Sequence, residues 1–191
     1  MRLVLASASS RRAGLLSSAG FVFDVSPADV DETPDSAEAP SEYALRVARD
    51  KARAVAARWE DLESSVLAAD TVVVLGGRIL GKPSGEADAR DMLRALSGAV
   101  HEVLTAVVFL MSGHETAEVV STRVRFAPLN EAEIAWYLST GEPLGKAGGY
   151  AIQGQAARFI DWIEGSWSNV VGLPVATVYR ILRDGGHVML T

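Results

Sequence analysis

Leu3, Val4, Leu5 and Ala6 form a short apolar run, and Leu15, Leu16 and Ala19 recur after it at helical spacing. This pattern predicts a buried strand that turns at once into an amphipathic helix, the local unit of an α/β fold. The junction, Leu5 to Arg12, reads LASASSRR and holds Ser7, Ser9 and Ser10 beside Arg11 and Arg12. Backbone N–H groups and the positive dipole end at a helix start attract anions, and two guanidinium forks add bidentate donors. On a helical projection Arg12 falls between Leu15 and Leu16, inside the arc that faces the core. Side chains in a first turn lean toward the helix N-terminus, so Arg12 is expected to extend into a pocket beyond the helix end. The bland alternative is a solvated arginine pair behind a serine cap.

Composition limits what that junction can bind. The 191 residues carry a formal charge of −6 with a pI near 5.1. A broad nucleic-acid surface is therefore excluded, and a cationic site must be local, with small phosphates as its ligands. With 49% hydrophobic residues the chain is long enough to bury a core as one domain, 1–191. The absence of cysteine removes disulfides, thiolate nucleophiles and the usual structural zinc sites, and fits a reducing cytoplasm. Leu3 to Ala6 is too short for the roughly 7 to 15 apolar residues of a signal peptide. Val103 to Met111 is far below the roughly 20 needed to cross a bilayer, so a soluble protein with no membrane partner is expected.

Along the chain, Val22 to Ser26 reads as a short strand leading into an acidic loop, Asp29 to Pro40, which contains DVDETP. Ser41 to about Trp59 is helical in composition. Val66 to Leu75 is a strongly apolar strand interrupted only by Asp70, and Gly76-Gly77 folds it back onto Arg78 to Leu80. Glu86 to Leu96 is an amphipathic helix. Glu102 to Met111 and Thr116 to Phe126 are two long strands joined at Ser112-Gly113-His114. Asn130 caps a helix to about Thr140, the glycine-rich GKAGGYAIQG follows, Arg158 to Glu164 alternates like a strand, and Pro174 opens a last helix. The irregular alternation implies α/β with a mixed sheet, and the only lobe boundaries it offers are near Gly98 and Pro128.

Asp70, in AADTVVV, is the strongest single candidate for chemistry, because a lone carboxylate in a β-branched strand is costly unless paired, hydrogen-bonded or bound to metal. Thr71 alternates to the other face. Lys51 repeats the case of Arg12: it projects between Ala44 and Val47, away from the arginine-rich face of its helix. Asp31 and Glu32 are hard oxygen donors that suit magnesium beside Asp70. GGRILGK, Gly76 to Lys82, has P-loop spacing, but Pro83 stands where Ser or Thr would hold magnesium, and no helix starts at the lysine. Lys82 is left as a phosphate contact after a rigid turn. Gly148, Gly149 and Gly154 around Tyr150 and Gln153 suit close approach to a flat ligand such as a base. His101, His114 and His187 show no metal or triad spacing and receive no role.

These segments together resemble the Maf family of nucleoside triphosphate pyrophosphatases. LASASSRR, VDET, RDKA, AADT, GKP, KAGGYAIQG and GSWSNVVGLP occur in the family's order across the whole chain. Ser10, where proline is common, and Gly145, where aspartate is common, are departures. The resemblance implies an ITPase-like (Maf/Ham1) fold, an elongated mixed sheet flanked by helices with two lobes around a cleft. It implies hydrolysis of a triphosphate between its α and β phosphates with a divalent metal, Mg2+, Mn2+ or Co2+. By position, Asp70 would be the proton acceptor and, with Glu32, a metal ligand. Lys51 and Lys82 would be catalytic cations, and Ser7, Arg11, Arg12, Thr71 and Gln153 would bind substrate. Arg12, Thr71 and Gln153 match the group that prefers dTTP and UTP over the one acting on 7-methyl-GTP. Relatives imply a homodimer, and the family's association with cell division offers nucleotide binding without hydrolysis as the competing function.

Overall fold

The computed structural model describes residues 2–35, 38–59 and 64–186; His187 and part of the acidic loop lie outside them. The opening run forms β1 (Arg2–Leu5), and α1 (Ser10–Ser18) starts five residues later. Next come β2 (Asp24–Val25), α2 (Pro40–Ala56), β3 (Ser64–Leu75), β4 (Arg78–Leu80) and α3 (Glu86–Leu96). The chain continues through β5 (Val100–Met111), β6 (His114–Phe126), α4 (Glu131–Ser139), β7 (Ile160–Glu164), α5 (Trp167–Val171) and α6 (Val175–Asp184).

Among the described residues the strands make one mixed sheet in the order β2-β1-β3-β5-β6-β7, with β4 also on β3. β1 runs parallel to both β2 and β3, Val4 opposite Asp24 and Val66, while β4 folds back antiparallel on β3. The expected hairpins are present. Gly76 and Gly77 supply the positive φ values (57° and 82°) that a two-residue turn requires, and Ser112 (48°) with Gly113 (78°) does the same between β5 and β6. His114 is therefore a strand residue.

The chain divides into two compact units. The first comprises 1–70, 105–120 and 172–191, the second 71–104 and 121–171. The passages fall inside β3, β5 and β6 and at Val171/Gly172, not near Gly98 and Pro128. Those two residues lie together in the second unit, where the Gly98 N–H donates to the Ala127 carbonyl at 3.3 Å. Glycine and proline mark the local turns there, and a passage within a continuous strand leaves no compositional trace.

In the first unit Leu3, Leu5, Leu16, Leu67, Phe109, Leu173 and Leu182 form a buried, leucine-rich apolar core that includes residues of α1 and α6 or next to them. Burial of Ser65 through Asp70 on both faces of β3 explains why that run is apolar without alternation. β6 does alternate in the second unit: Thr122, Val124 and Phe126 are buried, Arg123 and Arg125 exposed. Phe126 packs edge-on against Tyr150 at 4.9 Å and His101 at 5.5 Å between ring centroids. The strand expected over Val22 to Ser26 narrows to two residues at the sheet edge, and α5 was not anticipated.

Candidate active site

Six expected residues, Ser7, Arg11, Arg12, Glu32, Lys51 and Asp70, lie in the first unit. The turn after β1 is tight: the Ser7 N–H donates to the Leu5 carbonyl at 3.0 Å, and the Ser7 Oγ accepts from the Ser9 N–H at 3.2 Å. Ser9 then caps α1 through a long 3.4 Å bond from the Arg12 N–H. Arg12 is buried in the apolar arc, as its projection predicts. Its Nε donates to the Gly172 carbonyl at 2.8 Å and its Nη1 to the Ser7 Oγ at 3.1 Å. One strand of contacts from each end of the sequence thus fixes the guanidinium plane.

Burial pushes the Arg12 guanidinium below its ordinary pKa, Asp70 and Glu32 oppose that shift, and neighbouring Arg11 reinforces it. Arg11, half-buried, is lowered by desolvation as well. Arginine stays charged even so. Two partly desolvated cations side by side are electrostatically costly, and an anionic ligand relieves that cost.

Lys51 sits on the inward stripe of α2 with Tyr43 and Val47, at spacings of four and eight. Its Nζ lies 2.7 Å from Asp70 Oδ1 and 2.6 Å from Glu32 Oε1, so one ammonium bridges two carboxylates. The side chains of Lys51 and Asp70 are 10% and 11% exposed, that of Glu32 39%. The lone charge in β3 is thus paired, which answers the burial cost its sequence raised.

The acidic loop reaches the site because α2 holds it. Tyr43 donates its O–H to the Glu32 carbonyl at 2.7 Å, and Arg46 Nη2 donates to the Thr33 carbonyl at 3.0 Å while gripping Glu38 with two nitrogens. Burial first, then Asp70 and Glu32, raise the Tyr43 phenol to about 12, so it remains a donor. Tyr43 and Gly172 were missed as site residues. Tyr43 had a signal in its register with Lys51; Gly172 acts through a carbonyl, which every residue has. Asp31 is engaged locally, accepting the Thr33 N–H at 2.8 Å.

Glu32 and Asp70 suit a hard divalent cation, since they already hold a cation between them through hard oxygen atoms. Among the described residues no group of three His, Asp or Glu side chains able to hold a metal ion is present.

Thr71, Lys82 and Gln153 belong to the second unit. Thr71 is half-buried, and Lys82 and Gln153 are exposed. Lys82 lies in a bend after β4 and α3 begins only at Glu86, which removes the P-loop reading. The Gly148 N–H donates to the Gly81 carbonyl at 3.0 Å, tying the glycine-rich segment to the Lys82 turn. Gly148 has φ +68°, and a Cβ there would meet the Val73 methyls at 3.0 Å, so glycine is required. His101 is buried, shares a 2.7 Å hydrogen bond with the Tyr150 hydroxyl, and is pushed down to about 4 by burial. No helix among the described residues is long and apolar enough to cross a membrane.

The family model described as Maf-like protein matches residues 2–185. The chain is 56% identical over 189 residues to a dTTP/UTP pyrophosphatase of Anaeromyxobacter dehalogenans, covering 97% of this chain and 94% of that protein. It is 50% identical over 186 residues to a dTTP/UTP pyrophosphatase of Koribacter versatilis, covering 97% and 95%. The Staphylococcus aureus Ham1 protein superimposes with a TM-score of 0.53 over 97% of this chain and 100% of that one, at 14% identity, a likeness of fold.

Proposed function

The chain belongs to the Maf-like protein family, and from that premise we propose that it is a nucleoside triphosphate pyrophosphatase hydrolysing dTTP and UTP to the monophosphate and pyrophosphate. Relatives of 50% identity and more carry that activity in their names. The observation that carries the reading here is the Lys51 ammonium between Asp70 and Glu32, with buried Arg12 close enough to feel both carboxylates. A chain of net charge −6 that buries two cations at one place is built to receive an anion.

Phosphoryl chemistry asks the protein mainly for positioning and charge neutralisation. Arg12, fixed on two sides, presents a preset fork to the triphosphate, and Arg11 adds a second positive charge beside it. The Ser7 oxygen already accepts two hydrogen bonds, so its O–H is what it offers to phosphate. Lys51 and Lys82 neutralise charge on the leaving pyrophosphate. Asp70 accepts the proton of the attacking water, and Tyr43 keeps Glu32 beside it. Glu32 and Asp70 would hold a divalent cation, Mg2+, Mn2+ or Co2+, which when bound offsets triphosphate charge and makes water more acidic. Thr71 and Gln153 are assigned to the pyrimidine base. A homodimer in the cytoplasm completes the reading.

The test is a product assay across triphosphates with each metal. Pyrophosphate release, fastest with dTTP and UTP, is expected. Orthophosphate alone would overturn the cleavage site, and a preference for 7-methyl-GTP would overturn the assignment of the base.

A further inference from the structure

We propose that Lys51 is an internal placeholder cation: it fills the space between Asp70 and Glu32 until a nucleotide draws it away, so divalent-metal binding and nucleotide binding depend on one another. The proposal rests on the reading of this site as a metal-assisted triphosphate site.

The geometry is that of competition. The Nζ of Lys51 contacts an oxygen of each carboxylate at 2.7 and 2.6 Å. A divalent ion using both carboxylates needs those oxygens at about 2.0 to 2.1 Å for magnesium, and its charge repels an ammonium held against the same atoms. Lys51 must therefore leave at least one of them. Leaving is costly for a lysine whose side chain is only 10% exposed, because it gives up a buried partner. The ion gains little in exchange without substrate, since among the described residues no third acidic or imidazole side chain joins the pair.

A triphosphate changes both sides of the exchange. It supplies oxygens for the metal and an anionic partner for the displaced ammonium. Lys51 can follow because its charge rides on a flexible stem, whereas Arg12 is pinned by Gly172 and Ser7. Coupling of this kind is reciprocal, so whatever nucleotide adds to metal affinity, metal adds to nucleotide affinity. It also keeps Asp70 neutralised in the empty protein, so the buried carboxylate never stands alone.

The experiment measures Mn2+ binding to the full chain by the EPR signal of the free ion, with and without the non-hydrolysable α,β-methylene analogue of dTTP. Wild type is expected to bind Mn2+ weakly alone and far more tightly with the analogue. In Lys51→Met, Mn2+ alone is expected to bind about ten-fold tighter, and the enhancement by analogue to shrink about as much. Arg11→Gln removes an equal charge from the same patch without emptying the space between the carboxylates, and should change Mn2+ affinity by less than about three-fold on screening grounds. Should Lys51→Met fail to fold, Lys51→Gln, which keeps an N–H toward Asp70, gives the same reading. Unchanged Mn2+ affinity in the folded Lys51 variant, or an equal gain in Arg11→Gln, would overturn the proposal. Because no turnover is involved, pyrophosphate release with unaltered Mn2+ binding sinks the placeholder alone, and altered binding without pyrophosphate release sinks the function alone.

Discussion

Asp70 and Glu142 are both carboxylates drawn into the protein, and they are held in opposite ways. Glu142, in the second unit, accepts from the Tyr137 hydroxyl at 2.7 Å and from the backbone N–H groups of Gln155 and Ala156 at 3.0 and 3.3 Å. Burial raises its pKa, but those donors outweigh it, and the group titrates below the ordinary carboxylate range. A Cβ on Gly154 would lie 2.2 Å from a Glu142 oxygen, so the chain is shaped around this carboxylate. Asp70 is held by one flexible ammonium, itself shared with Glu32. Backbone donors cannot leave, and a lysine can. A carboxylate tied to N–H groups is a structural joint, while the proposed role of Asp70 asks for a partner able to leave, which a lysine is.

The contrast can be broken most directly at Asp70. Asp70→Asn is expected to lower kcat by about 10²- to 10⁴-fold, the range for losing a general base, with dTTP affinity retained. A steady-state assay showing a tenth of normal turnover would put Asp70 in the structural class. Glu142→Gln should do the reverse. Weakening charge-assisted hydrogen bonds on three donors should cost about 2 kcal/mol in urea unfolding, while kcat per folded molecule stays within about three-fold. A large kcat loss at full stability would erase the distinction. The smallest effect concerns His101, which is held by packing. Its folded pKa of about 4 lies below the unfolded value near 6.5, so the unfolded state binds more protons between them. Its contribution to stability is therefore complete above about pH 6.5 and lost as pH falls toward 4. His101→Phe should flatten the dependence of the unfolding midpoint on pH in that window.

The exchangeable site was the more legible of the two in the sequence. Arg12 and Lys51 broke the apolar arcs of their helices, and Asp70 broke an apolar strand; each violation of patterning marked a charge that the fold buries and pairs. Both cations lie buried where the projections put them. The Glu142 joint was silent, because two of its three donors are backbone N–H groups thirteen and fourteen residues away, and N–H groups carry no residue type. The elements were legible where local rules hold, as at α4, where Asn130 forms the expected cap and the Glu133 side chain completes it by accepting the Asn130 N–H. They were illegible where one turn of helix suffices: α5 spans only Trp167–Val171, too short for periodicity, though Ser166 Oγ accepting the Asn169 N–H is a cap in retrospect.

The bond from Arg12 Nε to the Gly172 carbonyl joins groups 160 positions apart. On the ribosome, at about 5 to 20 residues per second, the anchor for this cation emerges many seconds after the arginine itself. Contacts of such separation form late, after the entropy of closing the long intervening segment has been met. An emerging chain therefore carries the Arg12 turn unaimed until the segment holding Gly172 has joined it, so the order of synthesis makes this guanidinium one of the last groups to be set in place.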